Sequence, residues 1–90
     1  MTKKIAVLVR ERQEEALRMA TGITLLDDAV SVFVLDNIVA ETEKNILNIE
    51  TLLDLDIPVY SNNPANKMLE HLTTEEIAHR LVAFDHVIPY

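Results

Sequence analysis

Ninety residues can enclose one modest hydrophobic core and not two, because the buried share of a chain's surface falls as chains shorten. With 49% apolar residues, one glycine and three prolines, the chain is neither disordered nor collagen-like, and its lack of cysteine excludes disulfides, thiolate nucleophiles and sulfur-ligated metals. Fifteen acidic residues against eight basic ones give a formal charge of -7, which sets the average surface against phosphate backbones and anionic lipid.

No direct nucleic-acid or membrane partner is therefore expected, although a local basic patch around Arg10, Arg12 and Arg18 could escape that average. The opening Met1-Thr2-Lys3-Lys4 precedes an apolar run of only Ile5 to Val9, which suits a first strand and not a signal peptide. No later stretch approaches the length of a membrane span. Absence of cysteine fits a reducing compartment, and a cytoplasmic location is expected.

Ile5-Ala6-Val7-Leu8-Val9 is continuously apolar, the pattern of a strand covered on both faces. From Gln13 to Leu26 the apolar positions Ala16, Leu17, Ala20, Ile23 and Leu26 recur at spacings of three and four, predicting an amphipathic helix. Gly22 weakens that helix by roughly 1 kcal/mol relative to alanine, so either the helix tolerates a weak point or backbone packs closely there. Asp27-Asp28 closes the element.

Val30 to Leu35, rich in β-branched residues, predicts a central strand. A second helix is predicted from about Ala40 to Leu53 with Ile46, Ile49 and Leu53 buried. Ile57-Pro58-Val59-Tyr60 reads as a short strand with its proline near the start, and Ser61-Asn62-Asn63-Pro64 as a loop. A brief helix is placed through Lys67, Met68 and Leu69.

Thr73 followed by Glu76 is a capping-box pattern, predicting a helix from Thr74 to about Val82 with Ile77, Ala78, Leu81 and Val82 inward. Asp85 to Tyr90 reads as a final strand, placed at an edge by Pro89. The predicted order is β-α-β-α-β-α-α-β. It implies a small open three-layer α/β sandwich, a mostly parallel four-stranded sheet with helices on both faces.

In such sheets ligands sit beyond the carboxyl ends of the strands. Those ends supply the candidate site: Arg10 and Arg12 as anion partners, Asp36 and Asn37 as orienting groups, Ser61 and Asn62 as hydrogen-bonding loop residues. The alternative is that Asp36 and Asn37 cap a helix and that Asn63-Pro64 turns the chain.

No glycine follows the first strand, so nucleotide phosphates have no close backbone approach, and no cofactor is expected. His71, His79 and His86 lack ligand spacing, and no metal is expected. Ser61 has no identifiable base or orienter, so a catalytic role is not assigned.

The chain resembles the DsrE-like superfamily, small α/β proteins of sulfur-relay systems, over nearly its whole length. The likeness rests on Lys4 to Val9, the Ala16-Leu17-Arg18-Met19-Ala20 helix, the Val32-Phe33-Val34-Leu35-Asp36 strand, Ile57 to Tyr60 with its loop, and Asp85-His86-Val87-Ile88. It implies one DsrE-like domain over residues 1–90, with Rossmann- or flavodoxin-like topology, that assembles with itself or with related subunits. Active members carry a persulfide on a cysteine in the loop after a mid-chain strand; here Tyr60-Ser61-Asn62-Asn63-Pro64 stands there without one.

A hydroxyl or amide cannot replace a thiolate in that chemistry. Two readings follow. The first is a non-catalytic accessory or structural subunit, with Met68, Leu69, Val87 and Tyr90 as contact candidates. The second is a domain binding a small molecule or anion through the strand-end loops, with Arg10 or Arg12 converging on Asp36, Asn37 and Ser61.

Overall fold

The protein is seen in a computed structural model that describes residues 4–23, 29–40, 42–67 and 69–89. Five strands and three helices follow in the order β1 (Lys4–Val9), α1 (Gln13–Ile23), β2 (Ala29–Val34), α2 (Glu43–Asp54), β3 (Val59–Ser61), β4 (Glu70–His71), α3 (Thr74–Leu81) and β5 (His86–Pro89). The strands form one sheet, ordered β4-β3-β2-β1-β5, and every pair is parallel.

The continuous apolar runs of β1 and β2 have the expected cause. Both strands lie inside the sheet, and side chains alternate between two covered faces. Ile5, Val7 and Val9 join Val30, Val32 and Val34 under α1 and α2, packed with Ala16, Leu17, Ala20, Ile49 and Leu52. On the opposite face Ala6, Phe33 and Leu35 pack with Leu72 and Ile77, and Leu8, Tyr60, Leu81 and Phe84 border them. Helices thus cover both faces, as the alternating pattern predicts.

The sheet has five strands, not four, because Glu70 and His71 form β4; of the brief helix expected just before it, Lys67 and Leu69 lie in a turn and a bend, and Met68 falls outside the described residues. Pro64 takes the second position of a turn closed by the Asn66 N–H on the Asn63 carbonyl (3.1 Å), and Glu70 and His71 then pair with Tyr60 and Ser61. This connection is only eight residues long and shows no helix among its described residues, where a parallel crossover commonly holds one.

Several boundaries and faces also differ from expectation. The described part of α1 ends at Ile23, and Asp27-Asp28 lies outside the described residues. A Cβ on Gly22 would meet nothing within 4 Å, so the helix tolerates a weak point there with no close backbone neighbour. α2 begins after Thr42, whose Oγ1 accepts from the Asn45 N–H (3.1 Å), and not at Ala40. That cap sets the phase of the helix: Asn45, Ile49 and Leu52 are buried, Ile46 is half-buried, and Leu53 faces outward.

The same helix ends in a Schellman motif. Asp56 takes φ 59, its N–H donates to the Leu53 carbonyl, and the Ile57 N–H donates to the Leu52 carbonyl (2.9 Å). Ile57 and Leu52 are both part of the core beneath α1 and α2, the apolar contact that usually accompanies this motif. Pro58 stays just outside β3, which runs from Val59 to Ser61.

The capping box at α3 forms as its sequence predicts, with Glu76 N–H to Thr73 Oγ1 at 3.1 Å and Thr73 N–H to Glu76 Oε1 at 3.3 Å. Only Ile77 is fully buried and Leu81 half-buried, whereas Ala78 is exposed and Val82 is 86% exposed. An eight-residue helix lying on one part of a five-stranded face needs only the narrow i, i+4 stripe. β5 lies at an edge, as Pro89 implied, beside β1.

Candidate functional site

The carboxyl ends of β1, β2 and β3 bring together one dense hydrogen-bonded cluster. Asp36, two residues after the end of β2, adopts φ 66, a left-handed conformation that aspartate tolerates better than most residues. Its N–H donates to Asn62 Oδ1 (2.6 Å), and its Oδ1 accepts from Asn62 Nδ2 (3.0 Å). Asn62 Nδ2 also reaches Thr74 Oγ1 at the start of α3 (3.1 Å), and Asn63 Nδ2 donates to the Asp36 carbonyl (3.1 Å).

Deeper in the cluster Ser61 is fully buried, and its Oγ accepts from Asn66 Nδ2 (2.8 Å) and from the Asn63 N–H (3.1 Å). Asn66, also buried, donates to the Asn37 carbonyl (3.1 Å) and accepts from the Val39 N–H (2.8 Å). A second clamp starts from Gln13, whose Nε2 donates to the Ile38 carbonyl (3.0 Å) and whose Oε1 accepts from the Ala40 N–H (3.0 Å). Asn45 Nδ2 donates to the Ala40 carbonyl (3.0 Å), and its buried Oδ1 has no partner among the described residues.

Of the sequence-predicted residues, Asp36, Asn37, Ser61 and Asn62 thus converge. Arg10 enters only through its backbone, its carbonyl accepting from Asn37 Nδ2 (3.2 Å). The Arg12 guanidinium lies 3.8 Å from Glu15, both well exposed, and lines a shallow hollow with Glu11, Gln13, Glu14, Glu15, Arg18 and Met19. Asp36, Asn37 and Ser61 do not border that hollow.

Sequence reasoning missed Gln13, Asn45, Asn63, Asn66 and Thr74 as parts of the cluster. The spacing Asn62-Asn63-x-x-Asn66 directly after a strand was the available signal, because asparagine side chains hydrogen-bond nearby backbone.

Chemically, the cluster holds amides, hydroxyls and one carboxylate. Ser61 Oγ is paired to an amide and a backbone N–H, and neither group can take its proton. Among the described residues no three His, Asp or Glu side chains are grouped to hold a metal ion. Each loop amide is committed to another loop, so the arrangement holds three loops and the start of α3 in fixed register.

Compared with protein families, with curated proteins and with solved structures, the chain matches none. No described helix is long and apolar enough to cross a membrane.

Proposed function

We propose that this chain is a non-catalytic association module, a cysteine-lacking relative of the DsrE-like proteins that acts as a structural subunit in the cytoplasm by pairing with a second copy of itself. One observation carries the reading: the described residues of the β3–β4 connection form no helix, and a hollow stays open between them and α2. Ile38, 58% exposed, and half-buried Ile46 line this shallow hollow with Val39, Ala65 and Leu69, and Leu53, outside the hollow, is 44% exposed. Ile46 and Leu53 are seven residues apart and so lie on the same side of the helix.

Isolated apolar side chains on a surface need no explanation, but a contiguous row beside an empty helix position suits an interface. Lys67 borders the hollow, and Glu50 lies on the same flank of α2, between Ile46 and Leu53. A two-fold axis through the flank would set each lysine against the other copy's acidic groups. Of the contact candidates read from the sequence, Leu69 is buried, Val87 is 41% exposed, and Met68 and Tyr90 lie outside the described residues.

Catalysis is not part of the reading. The strand-end cluster engages its polar groups with one another, and the chain has no cysteine to carry a persulfide. If the sulfur-relay resemblance reflects descent, a related subunit would supply that residue. Binding of an anion at the strand ends lacks support, since the Arg12 side chain is engaged outside the cluster and Arg10 contributes only its carbonyl.

Sedimentation equilibrium tests the proposal. The wild-type chain should exceed its monomer mass of 10.2 kDa, and the double variant Ile38→Glu/Leu53→Glu should return to it with an unchanged far-UV spectrum. A wild-type chain that stays monomeric across the concentration range overturns it, as does an assembly that survives both charges.

A further inference from the structure

We propose that a groove at the opposite end of the sheet, on the α3 face, binds a small planar aromatic carboxylate. The groove has a volume of about 280 Å³ and lies where short α3 leaves the first residues of β1 and β2 uncovered. Its lining is Lys4 from β1, Ala29, Ser31 and Phe33 from β2, Tyr60 from β3, and Arg80, Ala83 and Phe84 at the end of α3.

Three features of this lining point to one chemistry. The first is an aromatic wall of half-buried Tyr60 and Phe84 held in fixed geometry by Phe33 behind them: Phe33, fully buried, stacks on Tyr60 with centroids 5.3 Å apart, and Phe84 meets Phe33 edge-on at 5.8 Å. Such a wall favours a flat ring over an aliphatic chain of equal volume.

The second is Arg80. Its guanidinium carbon lies 5.0 Å from the Tyr60 ring centroid, and its Nη1 donates to the Tyr60 hydroxyl (3.3 Å). The ring therefore orients the cation, while the remaining N–H groups of the planar fork have no partner among the described residues. An arginine in that state suits a carboxylate, which the fork can grip through two parallel bonds.

The third is a balance of charge opposite to that of the whole chain. In a chain of net charge -7 the two charged residues lining this groove, Lys4 and Arg80, are both cations, and neither forms an ion pair among the described residues. The nearby Asp85 carboxylate accepts from the Lys4 backbone N–H (2.8 Å), not from its ammonium. Ser31, half-buried in the groove, adds a hydroxyl with no hydrogen-bond partner among the described residues. Aromatic wall, oriented guanidinium, second cation and hydroxyl together recognise a ring bearing one carboxylate.

The test is a titration of the assigned ¹H–¹⁵N spectrum with benzoate and 2-naphthoate, using benzamide and acetate as controls. Saturable shifts should appear at Ser31, Tyr60, Arg80, Ala83 and Phe84, with benzamide and acetate each markedly weaker. Arg80→Gln, which removes the charge and the paired bonds of the fork, should lower the affinity for 2-naphthoate at least about tenfold. Ser31→Val, which replaces the hydroxyl with a methyl group and keeps a residue suited to a strand, should weaken 2-naphthoate binding severalfold. Absence of saturable shifts at these amides overturns the proposal. So does equal binding of benzamide, or affinity unchanged in Arg80→Gln. Groove shifts that follow protein concentration without added carboxylate also overturn it, because they make a second copy the occupant.

Discussion

Replacing Asn66 by alanine should remove the joint between the β2–α2 and β3–β4 loops. Asn66 is buried and makes three hydrogen bonds with its side chain, to Ser61 Oγ, the Asn37 carbonyl and the Val39 N–H. Each such bond contributes about 0.5–1.5 kcal/mol net, and the Val39 N–H, in a half-buried residue, loses its acceptor. Ser61 Oγ keeps the Asn63 N–H as a donor, so the sum settles at about 2–4 kcal/mol rather than higher.

A domain of this size has a total stability of roughly 5–13 kcal/mol, so the loss is a large share of it. The midpoint of thermal unfolding should fall by about 10–25 °C. Urea unfolding followed by far-UV circular dichroism measures the change, with the slope against denaturant expected to match wild type. Asn66→Asp should be no milder, because a carboxylate placed against the Asn37 carbonyl repels it and carries a charge into a buried site. A loss below about 0.5 kcal/mol for Asn66→Ala would refute the view that this side chain joins the loops.

Three further substitutions test other parts of the reasoning. Gly22→Ala should stabilise the protein by up to about 1 kcal/mol in the same urea assay, since the new methyl meets no atom within 4 Å and alanine favours the helix. Thr73→Ala should lower stability by about 1 kcal/mol by opening the capping box of α3, and exchange of the first amides of that helix should quicken. Asp36→Ala should lower stability by about 1–2 kcal/mol, through strain at φ 66 and loss of the Asn62 bond, whereas Asp36→Asn should stay within about 0.5 kcal/mol of wild type.

Where the sequence was informative, a single strong physical cause controlled the outcome. The apolar runs Ile5 to Val9 and Val30 to Leu35 are long enough that only interior strands bury them, and β1 and β2 are interior strands. Thr73 and Glu76 satisfy each other whatever surrounds them, so their helix start was readable. β4 left no trace because it consists of Glu70 and His71, two exposed residues paired through backbone alone. The stripe of α2 was misread by one position because its phase follows the Thr42 cap, which admits Asn45 to the interior while Leu53 turns outward.

The strand-end cluster was half legible for a similar reason. Strand order and direction bring Asp36, Asn37, Ser61 and Asn62 together once a parallel sheet is assumed. Which loop each amide would grasp depends on rotamers and on the left-handed turn at Asp36, neither of which hydrophobic periodicity records. Gln13 and Asn66 were given no role in the site, yet each holds two backbone groups of the β2–α2 loop.

The position of β5 has a consequence for how the chain acquires its shape. Ile5 pairs with Val30 on one side and with His86 on the other, so one flank of β1 is completed by near neighbours and the other by residues at the far end of the described chain. Closing the longer loop costs about 1 kcal/mol more in chain entropy than closing the shorter one, and β5 returns only four residues of pairing for it. β5 is then the last of the described strands to be synthesised, and its pairing is what closes the outer flank of β1. Each departure of β5 uncovers an apolar strand edge, the template on which another chain can grow a sheet, so the attachment of His86 to Pro89 guards the chain against edge-to-edge association.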